Sequence, residues 1–195
     1  MRRLRVEAVH DAADGVKSFT LVAPDGAALE PWAPGAHLDV ALAGGGVRQY
    51  SLCSDPEDLT HYRIAVLRVG LPAGRGGSCW LHDHVAAGDE LEIGEPRNTF
   101  SLPDASRYTL LAGGIGITPL APMAVELDRR GADWRLVYGA RSRAGMALAG
   151  ELKTLAAERV ELIPQDERGL PVLGEWLEDE PGLRLAGQDL VDGAA

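Results

Sequence analysis

The sequence predicts an all-β antiparallel six-stranded barrel over residues 1–100, followed by an α/β unit on a parallel sheet over residues 105–195. Three observations predict it. Short alternating apolar stretches fill the first half, the period changes from alternation to strand-then-helix near residue 105, and 24 glycines with 12 prolines supply many turns.

In the first half, period-two alternation marks strands at 4–10, 18–22, 37–42, 49–54, 62–69 and 90–93. Between them lie turn residues: Asp14-Gly15, Pro24-Asp25-Gly26, Pro34-Gly35, Gly44-Gly45-Gly46, the glycine stretch 74–77 and Gly88-Asp89. Six strands at this spacing predict a closed barrel, because closure removes exposed edges. Residues 95–104 read as the junction between the halves. Beyond it, 108–112 reads as a buried strand, and Leu120, Met123, Ala124 and Leu127 repeat at helical spacing until Gly131. Then follow a strand at 134–138, a helix at 146–158, a strand at 160–163, a weaker helix at 173–179 and a last strand at 183–186. Such alternation implies right-handed crossovers and a parallel sheet covered on both faces. Residues 187–195 end where a further helix is expected, so the second domain reads as C-terminally short.

Composition narrows the function. Hydrophobic residues at 46% and charged residues at 25% are globular values, which excludes disorder and coiled coil. A formal charge of -10 with no basic run repels phosphate backbones, so no nucleic-acid partner is expected. Two cysteines, Cys53 and Cys79, are too few for a structural zinc site or a cysteine-ligated iron-sulfur cluster, and they read as two buried thiols rather than a redox pair. No apolar stretch of the secretory kind follows Met1, and the expected location is the cytoplasm. The uncharged run 108–125 has the length of a membrane-span candidate, but Gly113, Gly114, Gly116, Pro119 and Pro122 break it. No membrane association is expected.

Several side chains read as ordinary structure. His82-Asp83-His84 has no further ligands nearby and reads as a surface turn, while His10, His37 and His61 read as barrel residues. Trp32, Trp80, Trp134 and Trp176 read as packing, and Glu175, Glu178, Asp179 and Glu180 as a solvated helix face.

Three motifs carry chemistry. Ala112-Gly-Gly-Ile-Gly-Ile-Thr-Pro119 sits between strand and helix, where glycines admit a ligand close to the backbone, Thr118 can cap and Pro119 suits the first turn. The amides and positive dipole end of that helix suit a pyrophosphate, although the usual G-x-G-x-x-G spacing is absent. Arg48-Gln-Tyr-Ser-Leu-Cys53 lies in a barrel strand, with Arg48 and Tyr50 on one face and Gln49 and Ser51 on the other unless the strand is bent. Arginine can fork onto phosphate, tyrosine can stack on a planar ring and serine can bond a ring heteroatom. Gly74-Arg-Gly-Gly-Ser-Cys-Trp-Leu-His-Asp83 places glycines before Ser78 and a helical turn, an amide-lined pocket suited to a terminal phosphate. Each motif alone also fits a plain turn or strand.

Together and in this order, with Glu95-Pro-Arg-Asn-Thr-Phe100 and Tyr138-Gly-Ala-Arg-Ser142, they give a chain that resembles the ferredoxin-reductase superfamily from residue 5 to residue 187. Within it the sequence is similar to the phthalate dioxygenase reductase and vanillate demethylase reductase group. The resemblance implies a flavin-binding barrel followed by an NAD(P)-binding domain. It implies that Arg48 engages the flavin phosphate, that Tyr50 packs on the isoalloxazine ring, that Ser51 lies near its N5 and that Gln49 belongs to the same cofactor-binding stretch. Gly76, Gly77 and Ser78 would complete the phosphate pocket, and a Gly-Arg-Gly-Gly-Ser loop implies FMN rather than FAD. Gly113, Gly114, Gly116 and Thr118 match the pyridine-nucleotide loop, and Arg141 with Ser142 the far ribose, with NADH and NADPH both open. The implied reaction is hydride transfer onto flavin, which requires the donor and acceptor atoms roughly 3 to 3.5 Å apart, with Tyr50, Ser51 and Thr118 as the catalytic residues that shape the ring environment. Electrons would then leave singly for a ferredoxin or an iron-sulfur oxygenase component.

The sequence departs from this group in two ways. It has no four-cysteine cluster for a two-iron, two-sulfur domain, and the group's Cys-Gly-Pro turn is matched here by Ala186-Gly187-Gln188. Three readings therefore stay open: a reductase serving a separate iron-sulfur partner, a fragment, or a non-catalytic flavin-binding subunit with a degenerate nicotinamide site.

Overall fold

The structure, a computed structural model, describes residues 1–170. The expectations for 173–179, 183–186, 186–188 and 187–195, with Trp176 and the acidic run, lie outside the described residues.

All six strands of the first half form: β1 (Arg2–Ala13), β2 (Val16–Val22), β3 (Ala36–Ala41), β4 (Val47–Ser51), β5 (Tyr62–Leu67) and β6 (Glu90–Ile93). A helix, α1 (Gly77–His84), stands between β5 and β6. Strands pair antiparallel in the order β4-β3-β6-β1-β2-β5. A bridge between Leu52 and Ile64 joins the two ends of that path and closes the barrel. Inward positions of the alternating pattern fill its interior: Leu4, Val6, Phe19, Leu38, Val40, Leu52 and Ile64 are fully buried.

The junction is not a plain linker. Arg97–Asn98 form a short strand, β7, that pairs with Ala36 and His37 of β3. Two exposed polar residues leave no alternation to read, so only the pairing reveals it.

Among the described residues the second half contains β8 (Arg107–Gly113), α2 (Ile117–Arg129), β9 (Asp133–Ala140), α3 (Ala149–Ala156), β10 (Val160–Pro164) and a short helix, α4 (Gln165–Arg168). The sheet is parallel, with β9 between β8 and β10. Residues of α2 and α3 share one buried cluster with Leu110, Leu136 and Val160, while Leu111, Val137 and Ile163 form a separate cluster on the opposite face. The helix expected at 146–158 is shorter than its apolar spacing implied. Met146, Ala147 and Leu148 are buried, but Leu148 adopts φ 62, so helical geometry starts only at Ala149. Among the described residues no helix is long and apolar enough to cross a membrane.

The two halves share packing. Val16, Cys53 and Ala65 of the barrel belong to the same buried cluster as Leu120, Ala121, Leu148 and Leu152. Asp14 donates its N–H to the Ala144 carbonyl at 2.8 Å across the same boundary.

Candidate functional site

The site begins with a barrel wall that does not fully close. Hydrogen bonds from Leu42 N–H to the Gly46 carbonyl (3.0 Å) and from Leu52 N–H to the Ala36 carbonyl (2.9 Å) phase the β3–β4 ladder. Between them, Val40 with Arg48 and Leu38 with Tyr50 are the hydrogen-bonded pairs. The main-chain groups of Val47, Gln49 and Ser51 therefore point away from β3, toward β5. On the facing strand, the bond from Arg68 N–H to the Gly15 carbonyl (2.8 Å) phases the ladder so that Ala65 and Leu67 point back toward β4. Yet no ladder pairs Val47–Tyr50 with β5; the two strands come together at a short seam around the Leu52–Ile64 bridge, where Cys53 N–H donates to the Arg63 carbonyl at 2.8 Å. Two free strand edges face each other across a gap.

A cleft of about 1250 Å³ opens at this gap, larger than the roughly 300 to 1,000 Å³ of an ordinary small-molecule site. Arg48, Gln49, Tyr50, Ser51, Gly77, Ser78, Gly116 and Thr118 all border it. The expected alternation holds, since Arg48 and Tyr50 oppose the buried Val40 and Leu38 and so face the core side. All four residues nevertheless reach the cleft, because β4 is the strand that borders the gap.

At one end the cleft has a cationic cradle. The α1 helix starts at Gly77 after Gly76, which caps it at φ 80 with no side-chain cap, and its first-turn amides precede the first helical bond, from Trp80 N–H to the Gly76 carbonyl. A Cβ on Gly77 would sit 2.7 Å from Arg48 Cγ, so glycine is what lets this arginine lie against the helix start. Arg48 donates to the Val47 carbonyl (2.9 Å) and the Arg75 carbonyl (3.1 Å), while its buried Nε has no partner. The Ser78 hydroxyl is already committed, accepting from Val69 N–H at 3.0 Å. Burial pushes the Tyr50 phenol above its usual range, against the opposing pull of Arg48 and Arg75, which keeps it un-ionised.

The opposite side is the glycine turn after β8. Gly113 ends the strand, Gly114–Gly116 make one 3-10 turn, and α2 follows directly. Thr118 does not cap that helix: it lies inside the first turn, and its buried hydroxyl donates back to the Ile115 carbonyl at 3.0 Å. Gly116 takes the capping position with no side-chain bond. Arg141 and Ser142 do not border the cleft; they follow β9 at the C-terminal edge of the parallel sheet, level with Gly113, where ligands of such sheets bind. The Ser142 hydroxyl accepts from Gly145 N–H at 3.3 Å.

Some cleft residues escaped the sequence reading. His37, read as an ordinary barrel residue, lies on the cleft wall opposite Ser51 with a buried, unpartnered Nε2. Asp39 accepts from Gln49 (3.2 Å) and from Arg97 (2.5 Å), which fixes the outer wall. Arg75, Arg97 and Phe100 also border the cleft, and their only advance signal was membership of the quoted motifs. His82-Asp83-His84 is not a surface turn but the last turn of α1; the half-buried His82 ring packs edge-on against Phe19 and bonds the Val66 carbonyl at 2.7 Å. Of the two thiols expected to be buried, Cys53 is, whereas Cys79, on the cleft-side helix α1, is half exposed. Among the described residues no cluster of His, Cys, Asp or Glu could hold a metal ion.

These features fit a phosphorylated planar cofactor. The unpartnered Arg48 Nε beside a helix N-terminus suits a phosphate, the free β4 edge offers donors and acceptors to a heterocycle, and Tyr50 offers an apolar face.

A closed antiparallel barrel followed by a parallel α/β unit, with a cleft where the two meet, defines the ferredoxin-reductase-like class. Within it, the chain belongs with the phthalate dioxygenase reductase and vanillate O-demethylase oxidoreductase group. It is 41% identical over 187 residues to the tert-butanol monooxygenase / tert-amyl alcohol desaturase reductase subunit of Aquincola tertiaricarbonis, covering 93% of this chain and 55% of that one. It is 49% identical over 134 residues to the vanillate O-demethylase oxidoreductase of Pseudomonas putida, covering 68% of this chain and 41% of the relative. The solved structure of phthalate dioxygenase reductase, described as modular for electron transfer from pyridine nucleotides to a two-iron, two-sulfur centre, superposes with a TM-score of 0.86 at 35% identity, over 93% of this chain and 57% of that one. The chain spans about half the length of the curated relatives it matches. No protein-family model matches it.

Proposed function

We propose that this chain is the flavin- and nicotinamide-binding part of an oxygenase reductase, with residues 1–100 as the flavin domain and 105–195 as the nucleotide domain. The observation that carries this reading is the cleft where the free edge of β4, the Arg48 cradle at α1 and the turn before α2 converge.

Arg48, with the first-turn amides of Gly77 and Ser78, holds the terminal phosphate; because the Ser78 hydroxyl is bound to Val69, this residue contributes its N–H. FMN is favoured over FAD because the cradle gathers Arg48, Arg75 and a helix N-terminus, a concentration of positive charge suited to a dianion. Tyr50 covers one face of the ring system, and the main chain of Gln49 and Ser51 bonds its edge. Gly113, Gly114, Gly116 and Thr118 keep the second wall low enough for a nicotinamide to approach, while Arg141 and Ser142 receive the far ribose of NADH or NADPH. A flavin held there would accept hydride and release the electrons one at a time. The acceptor is a ferredoxin or an iron-sulfur oxygenase component. No side chain has to move a proton during the hydride step; these residues orient and exclude water.

The test is direct. The purified chain should be yellow and release FMN on denaturation, and it should consume NADH or NADPH with ferricyanide. A colourless protein that stays apo in excess FMN would overturn the reading, and a yellow protein without turnover would demote it to a flavin-binding subunit.

A further inference from the structure

The barrel closes at one short seam, and one residue, through its backbone and its side chain, holds it to Cys53, Ser54 and Glu151. Arg63 lies on β5 beside the Leu52–Ile64 bridge. Its Nη2 donates to the Cys53 carbonyl at 2.9 Å, two residues beyond Ser51 on the chain that carries the cleft wall. Its own N–H donates to Ser54 Oγ at 3.2 Å, and its carbonyl accepts from Cys53 N–H at 2.8 Å. The same guanidinium forks onto Glu151 of α3, with Nη1 to Oε1 at 2.9 Å and Nη2 to Oε2 at 2.7 Å. One arginine thus ties both walls of the β4–β5 gap to a helix of the other half.

A second tie runs in the opposite direction. Arg129, in the last turn of α2, forks onto Asp55 just past the seam, with one of the two contacts at 2.9 Å, and stands 3.6 Å from Glu57. The start of α2, at Thr118 and Pro119, borders the cleft. Between the two ties lies a separate crevice of about 270 Å³, bordered by Cys53, Arg63, Ala121, Leu148 and Glu151, which shares no residue with the cleft.

As a source of stability the Arg63–Glu151 pair is poor. The Glu151 side chain is 58% exposed, and an ion pair open to solvent on that side adds little to stability. As a source of alignment it is good, because a planar fork fixes orientation where a point charge does not. We propose that Arg63 is a positioning residue: it sets the width of the β4–β5 gap and its offset from the turn before α2, and so the alignment of the two rings in the reaction proposed above. The inference rests on that reading, and its tests separate the two.

Arg63→Lys, Glu151→Gln and Glu151→Ala are compared with wild type in the full FMN-loaded chain. FMN affinity, read by fluorescence quenching, and KM for the nicotinamide nucleotide should stay within about twofold, while kcat falls about ten- to a hundredfold, as a displacement near 1 Å allows. The long-wavelength absorbance that stacked reduced nicotinamide gives with flavin should weaken in parallel. Arg63→Lys should match Glu151→Ala, because a lysine keeps the charge but cannot span Cys53 and Glu151. Hydrogen exchange on the apo chain gives a readout independent of turnover: Arg63→Lys should speed exchange at 47–54 and at 149–156 together. Unchanged kcat in all three variants, a loss of kcat matched by equal loss of FMN affinity, or unchanged exchange at both segments would each overturn the proposal. If wild type binds no FMN, the functional reading fails, and coupled exchange at the two segments decides the positioning claim alone.

Discussion

Two glycine turns in this protein obey the same local rule and end differently. The turn at 74–78 and the turn at 113–118 each deliver the chain into a helix with no side-chain cap and no acidic residue in the first turn. The first leaves its first-turn amides ahead of the first helical bond, at the positive end of a helix dipole; in the second a 3-10 turn runs into the helix, and Ile117 N–H already donates to the Gly114 carbonyl. The first is backed by Arg48, which lies so close to Gly77 that a Cβ there would meet its Cγ at 2.7 Å. The second has open space around Gly114 and Gly116, where an added Cβ would meet nothing within 4 Å. On the reading proposed above, the crowded, cationic turn would hold a resident group and the open one would let a substrate come and go; the structure itself shows the crowding and the open space.

The sharpest way to break this comparison is to remove the charge from the crowded side. Each charge-assisted bond to phosphate contributes about 1.5 to 3 kcal/mol, so Arg48→Ala should weaken FMN binding by about one to two decades. Fluorescence titration of apo protein with FMN measures it. Full occupancy at low concentration would place the phosphate elsewhere.

A matched pair comes next in size. Gly77→Ala must displace Arg48 or the helix start, a strain of about 1 to 3 kcal/mol, and should lower both thermal stability and FMN affinity. Gly116→Ala adds a methyl at φ -60, a conformation any residue adopts, with no protein atom in its way. Stability and FMN affinity should hold, while KM for NADH or NADPH rises several-fold if that wall faces the nucleotide. Equal effects of the two substitutions on FMN affinity would erase the distinction.

How much of this was legible beforehand follows from what each feature depends on. Barrel strands depend on alternation, and the buried Leu4, Val6, Leu38 and Val40 fall where period two puts them. The Arg97–Asn98 strand has no apolar face, so nothing in two exposed residues announced its pairing with β3. The free edge of β4 is a property of ladder phase and of a partner that is missing along Val47–Tyr50; residue types do not encode it. His37 read as structural because its alternation is that of any barrel position, while its unpartnered Nε2 shows only in three dimensions. Arg63 carried no motif, because its three partners lie 9, 10 and 88 residues away along the chain.

Thr118 gives the smallest and most diagnostic expectation. Its sequence position fits a cap, yet its hydroxyl donates to the Ile115 carbonyl at 3.0 Å and so braces the turn from inside the helix. Thr118→Val keeps the volume and removes the donor, a lost hydrogen bond at a cost of about 1 kcal/mol. For a chain of this size that lowers Tm by roughly 2 to 4 °C. Thr118→Ser should restore the bond and most of the stability. If bracing is the whole role, FMN affinity stays unchanged and KM for the nicotinamide nucleotide moves less than about threefold in the valine variant. A loss of kcat beyond about tenfold in Thr118→Val, rescued by serine with no change in Tm, would mean that the hydroxyl leaves Ile115 when substrate arrives. The open wall would then be an active one, and the contrast between the two turns would shrink to a difference in charge alone.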